Sequence, residues 1–436
     1  MSKPEESIPS ARRLINSLRD MGYEFATAVA DLVDNCIEAG ANQVDIDIEW
    51  NGDESWVTIA DNGSGMTPEI LKESMRYGSE RDYTEDDLGK FGLGMKTASM
   101  SQCRRLTVSS QPTDSKKISS YSWDLEHIEQ SNRWEILSIE SSDLPAQTRE
   151  KFNDGYRTVV RWDKLDRILG YKHPYGEPAR KQLAQMCREV ETHLSMVFHR
   201  FLAGEARKPR VRICLNSNPL VPWDPFCRKE KKTQRLSRCS IPVEFNDVQG
   251  SIIFDPFVLP HQHQFSSAEA HEMASGPNKW NRQQGFYIYR ADRLIQSGGW
   301  SDLRTLDEHT KLARVALRFE PKLDEAFKIN VSKMRVQLPL SIHTDLKTAL
   351  APVIKAADTE YRKGGRTKKV VPPNGTPKPG STSPGNGNGS IAPVKGPGIE
   401  KLYTLDEVLE RLLSLASKRE QKLLLEVFGR LQKIRS

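Results

Sequence analysis

"ADLVDNCIEAG", residues 30–40, is the stretch from which the fold is read. Asp31, Asp34, Asn35 and Glu38 recur at i, i+3, i+4 and i+7, so a helix carries them on one face. Phe25, Val29, Leu32, Val33 and Cys36 fill the opposite face, which packs on a core, and Gly40 stops the helix. Alone, such a polar stripe is an ordinary solvated surface. Two stretches downstream change its weight: "DNGSGM" at residues 61–66, starting 26 residues after Asn35, and "LGKFGLGMKTAS" at residues 88–99. Each is a common turn by itself, and their conjunction in this order is not.

Outward from this centre, residues 8–24 hold a helical pattern with Leu14, Leu18 and Met21 apolar and Gly22 as its end. After Gly40, "VDIDIEW" alternates as a half-buried strand, Asn51-Gly52 marks a hairpin turn, and "SWVTIA" returns and delivers Asp61. Thr67 and Pro68 open a helix that ends by Gly78. Residues 79–88 show neither period and read as a mobile segment before the Gly-rich turn and a helix from Met95. Strands follow at "RRLTVSS", "ISSYSWDL", "WEILSIE" and "YRTVVRW". The expected fold is α+β, with a two-layer α/β sandwich as its first domain, residues 1–165. A second α+β domain, residues 166–363, has a long helix from Ala179 to Leu202. Its strands lie at "RVRICL", "SIPVEF", "GSIIFDPF", "GFYIYRADRLI" and "RVALRFE", and a helix near 342–362 closes it. Residues 364–398 are Gly-, Pro- and Ser-rich, a flexible linker. Residues 399–436 form an amphipathic helical tail with a Thr404/Glu407 capping box. A lone amphipathic segment has no core of its own to cover; it docks on the body, self-associates or binds a protein partner.

The 436 residues suffice for two or three domains, and 37% hydrophobic with 28% charged residues suits a globular chain with polar segments. The opening "MSKPEESIPS" is too polar for a secretory leader, and no apolar run approaches the roughly 20 residues that span a bilayer. The expected location is the cytosol, with no membrane partner. The six cysteines are scattered, which favours reduced thiols, and His261, His263 and His271 lack the paired spacing of a zinc site. Net charge is +6, yet residues 361–436 carry 15 basic and 6 acidic side chains, a net of +9, which leaves −3 on the rest. The surplus that would attract nucleic acid lies in the tail.

The acidic helix, "DNGSGM" and "GKFGLGMK" together resemble the GHKL ATPases: gyrase B, the ninety-kilodalton heat-shock chaperones, sensor histidine kinases and MutL. "ADLVDNCIEAGA" and "GKFGLGMKTAS" are most similar to the MORC branch and its bacterial relatives, and the resemblance runs from about residue 10 to 360. It implies a Bergerat ATP-binding fold followed by a transducer-like domain, with ATP and magnesium bound. By that match Asp61 accepts the adenine N6–H, Gly63 and Gly65 let backbone pass close to the base, and Met66 packs on it. Asn35 coordinates magnesium, and Gly89, Gly92 and Gly94, interleaved with Lys90, Phe91, Leu93 and Met95, turn N–H groups toward the phosphates. Lys90 and Lys96 add charge, although Lys96 reads equally as a solvated helix residue. Thr158 matches a nucleotide-side threonine or is a plain strand residue. "FKINVSKMRVQLP" resembles the transducer loop whose cation, here Lys333, reaches the γ-phosphate.

One departure stands out: the family's general base is usually glutamate, and here it is Asp31. The shorter reach implies slow hydrolysis or a binding-only switch. The resemblance implies a clamp that homodimerises on ATP, with DNA as cargo; a chaperone-like clamp for protein clients is the alternative. No phosphoacceptor-histidine box precedes the motifs, which argues against a sensor kinase.

Overall fold

A computed structural model describes residues 8–20, 23–78, 94–170, 172–246, 248–328 and 336–366, with side chains to 363. They belong to one compact unit that runs from Met1 to Val370. The expected tail, residues 89–93 with Gly89, Lys90, Phe91, Gly92 and Leu93, Lys333, and all of the expected linker but its first residues lie outside the described residues.

Helices α1 (Ala11–Arg19) and α2 (Phe25–Glu38) lead into β1 (Gln43–Glu49) and β2 (Trp56–Asp61). Val44, Ile46 and Ile48 of β1 point to the core while their neighbours do not, the period-2 pattern of a sheet with one dry face. The β1–β2 connection is broader than a two-residue hairpin, because Gly52–Glu54 winds one 3-10 turn. Then come α3 (Pro68–Ser74), α4 (Gly94–Met100), β3 (Arg105–Ser110), β4 (Ser119–Asp124), α5 (Leu125–Ser131), the two-residue β5 (Leu137–Ser138), α6 (Ala146–Asn153) and β6 (Thr158–Asp163). Thr67 caps α3 by accepting the Ile70 N–H at 3.4 Å, with Pro68 in the first turn.

The long second-domain helix breaks in two at Phe198: α7 (Glu177–Val197) and α8 (His199–Ala203), closed by Gly204 at φ +71°. The strands β7 (Arg212–Leu215) and β8 (Asn218–Pro219) then return to the first sheet, whose order is β5-β4-β3-β6-β2-β1-β7-β8. β7 lies parallel to β1 and the other neighbours are antiparallel. One core joins α1, α2, α4 and α7 to this sheet, with Trp162 fully buried against Phe25 at 6.0 Å between ring centroids. That core therefore draws on residues beyond Leu165, as far as Leu220.

The second sheet contains β9 (Gln234–Arg235), β10 (Cys239–Phe245), β11 (Val248–Val258), β12 (Gly285–Arg290), β13 (Arg293–Ser297) and β14 (Ala313–Phe319), in the order β10-β11-β14-β12-β13 with β9 beside β11. Short helices α9 (Ala268–Ser275) and α10 (Lys279–Gln283) precede the hairpin, and α11 (His343–Arg366) covers one face through Leu346, Leu350, Val353 and Ala357. Among the described residues no helix is long and apolar enough to cross a membrane.

Candidate active site

α2 is enclosed by α4 and α7 and lies on β2. Its C-terminal end meets the end of β2, and there the "DNGSGM" turn forms. Asp61 is 4% exposed and accepts the Gly63 N–H at 2.8 Å. Burial pushes its carboxyl up to about 6, while the Gly63 N–H and the Cys36 thiol of α2 pull the other way. A Cβ at Gly63 would stand 2.7 Å from the Ala39 carbonyl oxygen and 2.9 Å from Asp61 Oδ1. At Gly65, φ is +66° and a Cβ would stand 2.1 Å from the Gln111 carbonyl oxygen. Both glycines are thus demanded by the protein's own backbone, before any ligand enters.

The half-buried Met66 donates its N–H to Ser110 Oγ at 2.9 Å, and Ser110 Oγ also lies 2.9 Å from Thr158 Oγ1. Thr158 stands opposite Asp61 in the β2–β6 register. Asp61, Met66 and Thr158 are therefore brought to one end of the sheet. Ser110, absent from the sequence reading, joins them, and its only sequence signal is its place at the end of a strand.

The ionisation of Asp61 has a testable cost. A carboxyl raised from 3.8 to about 6 contributes stability that is fully present below pH 3.8 and lost as pH rises through 6. Asp61→Asn keeps an acceptor for Gly63 and removes that titration. The variant should therefore gain about 2 kcal/mol on the parent between pH 4.5 and 7.5, measured by urea unfolding at both values. A constant difference would mean that Asp61 ionises freely in the folded protein.

Eight residues back along α2, roughly 12 Å at the helical rise, lies a second buried group. The expected polar face is not solvated: Asp31 is 3% and Asp34 0% exposed. The reason is a cation from the other sheet. Arg293, itself 3% exposed, places Nε 2.9 and 2.7 Å from the two Asp34 oxygens, and Nη2 lies 3.7 Å from Asp31 Oδ1. Arg293 opens β13 directly after the two-residue turn Ala291-Asp292, whose φ values are +44° and +68°. That is a tight hairpin conformation that favours glycine and asparagine, and an alanine there stores strain. Asp292 steadies it by accepting from Arg200 Nη1 at 3.2 Å and from the Arg207 N–H at 2.9 Å. Around the pair, burial and then the Asp31 charge push the Tyr23 phenol above its usual range, and burial with the Arg293 charge pushes His193 of α7 down to about 4.

Gly94, the first residue of α4, comes up to Asp31; a Cβ built on it would stand 3.9 Å from Asp31 Oδ2. Gly94, the last glycine of the glycine-rich stretch, thus stands beside the Asp31 carboxylate. Met95 is half-buried. Lys96 is 3% exposed, so it is not a solvated helix residue; its Nζ donates to the Ser74 carbonyl at 2.8 Å, and burial pushes its amine down to about 8. Asn35 lies between the two ends of α2, half-buried, and its carboxamide has no hydrogen-bond partner among the described residues. No cluster of three or more His, Cys, Asp or Glu side chains forms a metal cage among the described residues. Magnesium dehydrates reluctantly and is commonly held by one or two protein oxygens plus phosphates and water, so the free Asn35 oxygen fits it without a cage.

The profile of the histidine kinase-, DNA gyrase B- and HSP90-like ATPases matches residues 23–155. The DNA mismatch repair protein MutL of Actinobacillus succinogenes is 38% identical over 97 residues, which cover 21% of this chain and 15% of that protein. MutL of Shewanella baltica is 38% identical over 94 residues (20% and 15%), and MutL of Aliivibrio salmonicida 41% over 91 (20% and 14%). The chain spans about 15% of the length of these relatives. The matched region holds α2, the end of β2 and α4, the elements that carry Asp31, Asn35, Asp61 and Gly94, so residues 23–155 match a domain of the GHKL ATPase type.

Proposed function

We propose that the chain binds ATP with magnesium along α2, hydrolyses it slowly, and works as a clamp that closes by homodimerisation, most similar in its motifs to the MORC branch. The observation that carries this reading is the Asp31 carboxylate, buried and ionically tied, beside the first residue of α4 and on the same helix whose C-terminal end meets the Asp61 turn. Asp61 takes the adenine N6–H, with Gly63, Gly65, Met66 and Thr158 shaping the base end. Gly89, Gly92 and Gly94, with Lys90 and Lys96, serve the phosphate end, and Asn35 supplies a magnesium ligand. Magnesium, when bound, neutralises charge on the phosphate oxygens. Asp31 takes the proton of the attacking water as the bond from the γ-phosphorus to the ADP oxygen breaks. Lys333 supplies a cation to the transferred group, where positioning and electrostatics do most of the work.

The proposed cargo is DNA, held by phosphate contacts from the basic tail, since residues 1–360 carry a net −3 and residues 361–436 a net +9. MutL, the relative of the first domain, is named as a DNA mismatch repair protein. Sedimentation velocity tests the whole reading. A non-hydrolysable ATP analogue with magnesium should convert the protein to a compact dimer, and duplex DNA should co-sediment at low salt and be released as salt rises. Identical profiles with and without the analogue would sink the clamp. Dimerisation without DNA at any salt would assign the clamp to protein clients.

A further inference from the structure

On the face of the second sheet turned away from α11, β9, β11 and β14 border a concave cleft of about 400 Å3 together with α8 and the segment before β9. Five arginines line it: Arg200, Arg228, Arg235, Arg238 and Arg318. Three are already matched. Arg228 pairs with Asp224 and Glu205 at 3.0 and 2.8 Å, and Arg200 with Asp292 at 3.2 Å. Arg235 holds both oxygens of Asp255, at 3.0 and 2.8 Å.

The remaining two are not matched. Arg318 comes only within 3.9 Å of Asp255, whose oxygens Arg235 occupies, and its buried Nε has no hydrogen-bond partner among the described residues. Arg238 is exposed at the rim and forms no ion pair among the described residues. Burial and then the charges of Arg200 and Arg238 push the Arg318 guanidinium below the usual range, against the opposing charges of Asp255 and Asp292. His199 at the cleft is pushed down as well, by burial and by Arg200, so it adds a neutral imidazole.

A buried guanidinium N–H without an acceptor is costly unless a ligand supplies one. The planar donor fork of arginine matches the oxygens of phosphate. The volume lies in the range of small-ligand sites, and a concave cleft admits a terminal phosphate more readily than the side of a duplex. We propose that this cleft binds a compact phosphate-bearing ligand with two or more negative charges, whose oxygens accept hydrogen bonds from the guanidinium groups of Arg318 and Arg238. The site lies outside the α2 machinery and stands whether or not the ATP reading does.

Inorganic pyrophosphate is the probe, titrated calorimetrically into the full chain at fixed ionic strength, with Arg318→Gln and Arg238→Gln beside the parent. Loss of one charge-assisted contact should weaken binding roughly ten- to a hundredfold in each variant. Pyrophosphate held at the ATP site would not respond to either substitution. The ligand-free Arg318→Gln protein should melt no lower than the parent, because a cation leaves like-charged neighbours. Arg238 is exposed, so its variant decides the matter if Arg318→Gln fails to fold. Parent-like affinity in Arg238→Gln, or heats that sodium chloride reproduces at equal ionic strength, would overturn the proposal. So would protection of the cleft by duplex DNA but not by pyrophosphate.

Discussion

Asp31→Asn should bind ATP and magnesium as the parent does and lose turnover by roughly 10²–10⁴, the usual worth of a positioned general base. The substitution keeps size, helix position and a polar group, and it leaves Asn35 and Asp61 in place. In the proposed clamp, closure needs the γ-phosphate rather than its cleavage, so the closed dimer should accumulate. Single-turnover hydrolysis at saturating ATP is the measurement; parent-like turnover would rule Asp31 out and put Asp34 or Glu38 on trial. The structure also sets the sign for Asp31→Glu. With Asp31 only 3% exposed and Gly94 close to its Oδ2, an added methylene has little free room, and overpacking of this kind typically costs about 1–3 kcal/mol. Asp31→Glu should therefore turn over more slowly than the parent, although it restores the glutamate usual in the superfamily.

Arg293→Met should be the most destabilising single change near this site and should also alter the chemistry. Removing one partner of a buried ion pair typically costs about 3–5 kcal/mol, and Arg293 holds Asp34 at 2.7 Å while lying 3.7 Å from Asp31. Without that guanidinium, two carboxylates three residues apart on one helix face each other across a dry space, which favours protonation of one of them. Turnover at neutral pH should fall, and part of it should return as pH rises and Asp31 ionises. A merely structural role would lower the amount of folded enzyme without moving the pH profile. Pairing Arg293→Met with Asp34→Leu should recover most of the stability, because the lone charge goes with its partner. A double variant no more stable than Arg293→Met would show that the ion pair is not the origin of the loss.

The turn at the end of β2 was legible because it is local. Asp61, Gly63, Gly65 and Met66 lie within six residues at a strand end, and strand alternation with turn chemistry is enough to place them. The bounds of α2 were legible for the same reason: an apolar pattern opens near Glu24 and Gly40 closes it. What α2 faces was not. A stripe of Asp, Asp, Asn and Glu satisfies the pattern of a solvated face, and the cation that buries it is 259 residues further along the chain. Helical periodicity carries no information about a partner in another sheet. The break at Phe198 was hidden too, since the apolar residues Leu194, Val197, Phe201 and Leu202 keep a helical period across it while α7 and α8 part. β7 read as a strand, but which sheet would receive it was a question of long-range pairing that its composition does not answer.

That pairing sets an order of events during synthesis. β1 has its antiparallel neighbour β2 within a dozen residues, yet its other edge pairs with β7, from Gln43–Arg212 to Ile46–Leu215. Until residue 215 has left the ribosome, the hydrogen-bonding groups on that side of β1 form a bare edge, the kind of surface on which other chains add strands. Contacts so distant in sequence close slowly. The half of the protein that holds the nucleotide motifs is made first and completed late, which gives a chaperone working on nascent chains a defined place to cover: the β1 edge, for as long as β7 is still being translated.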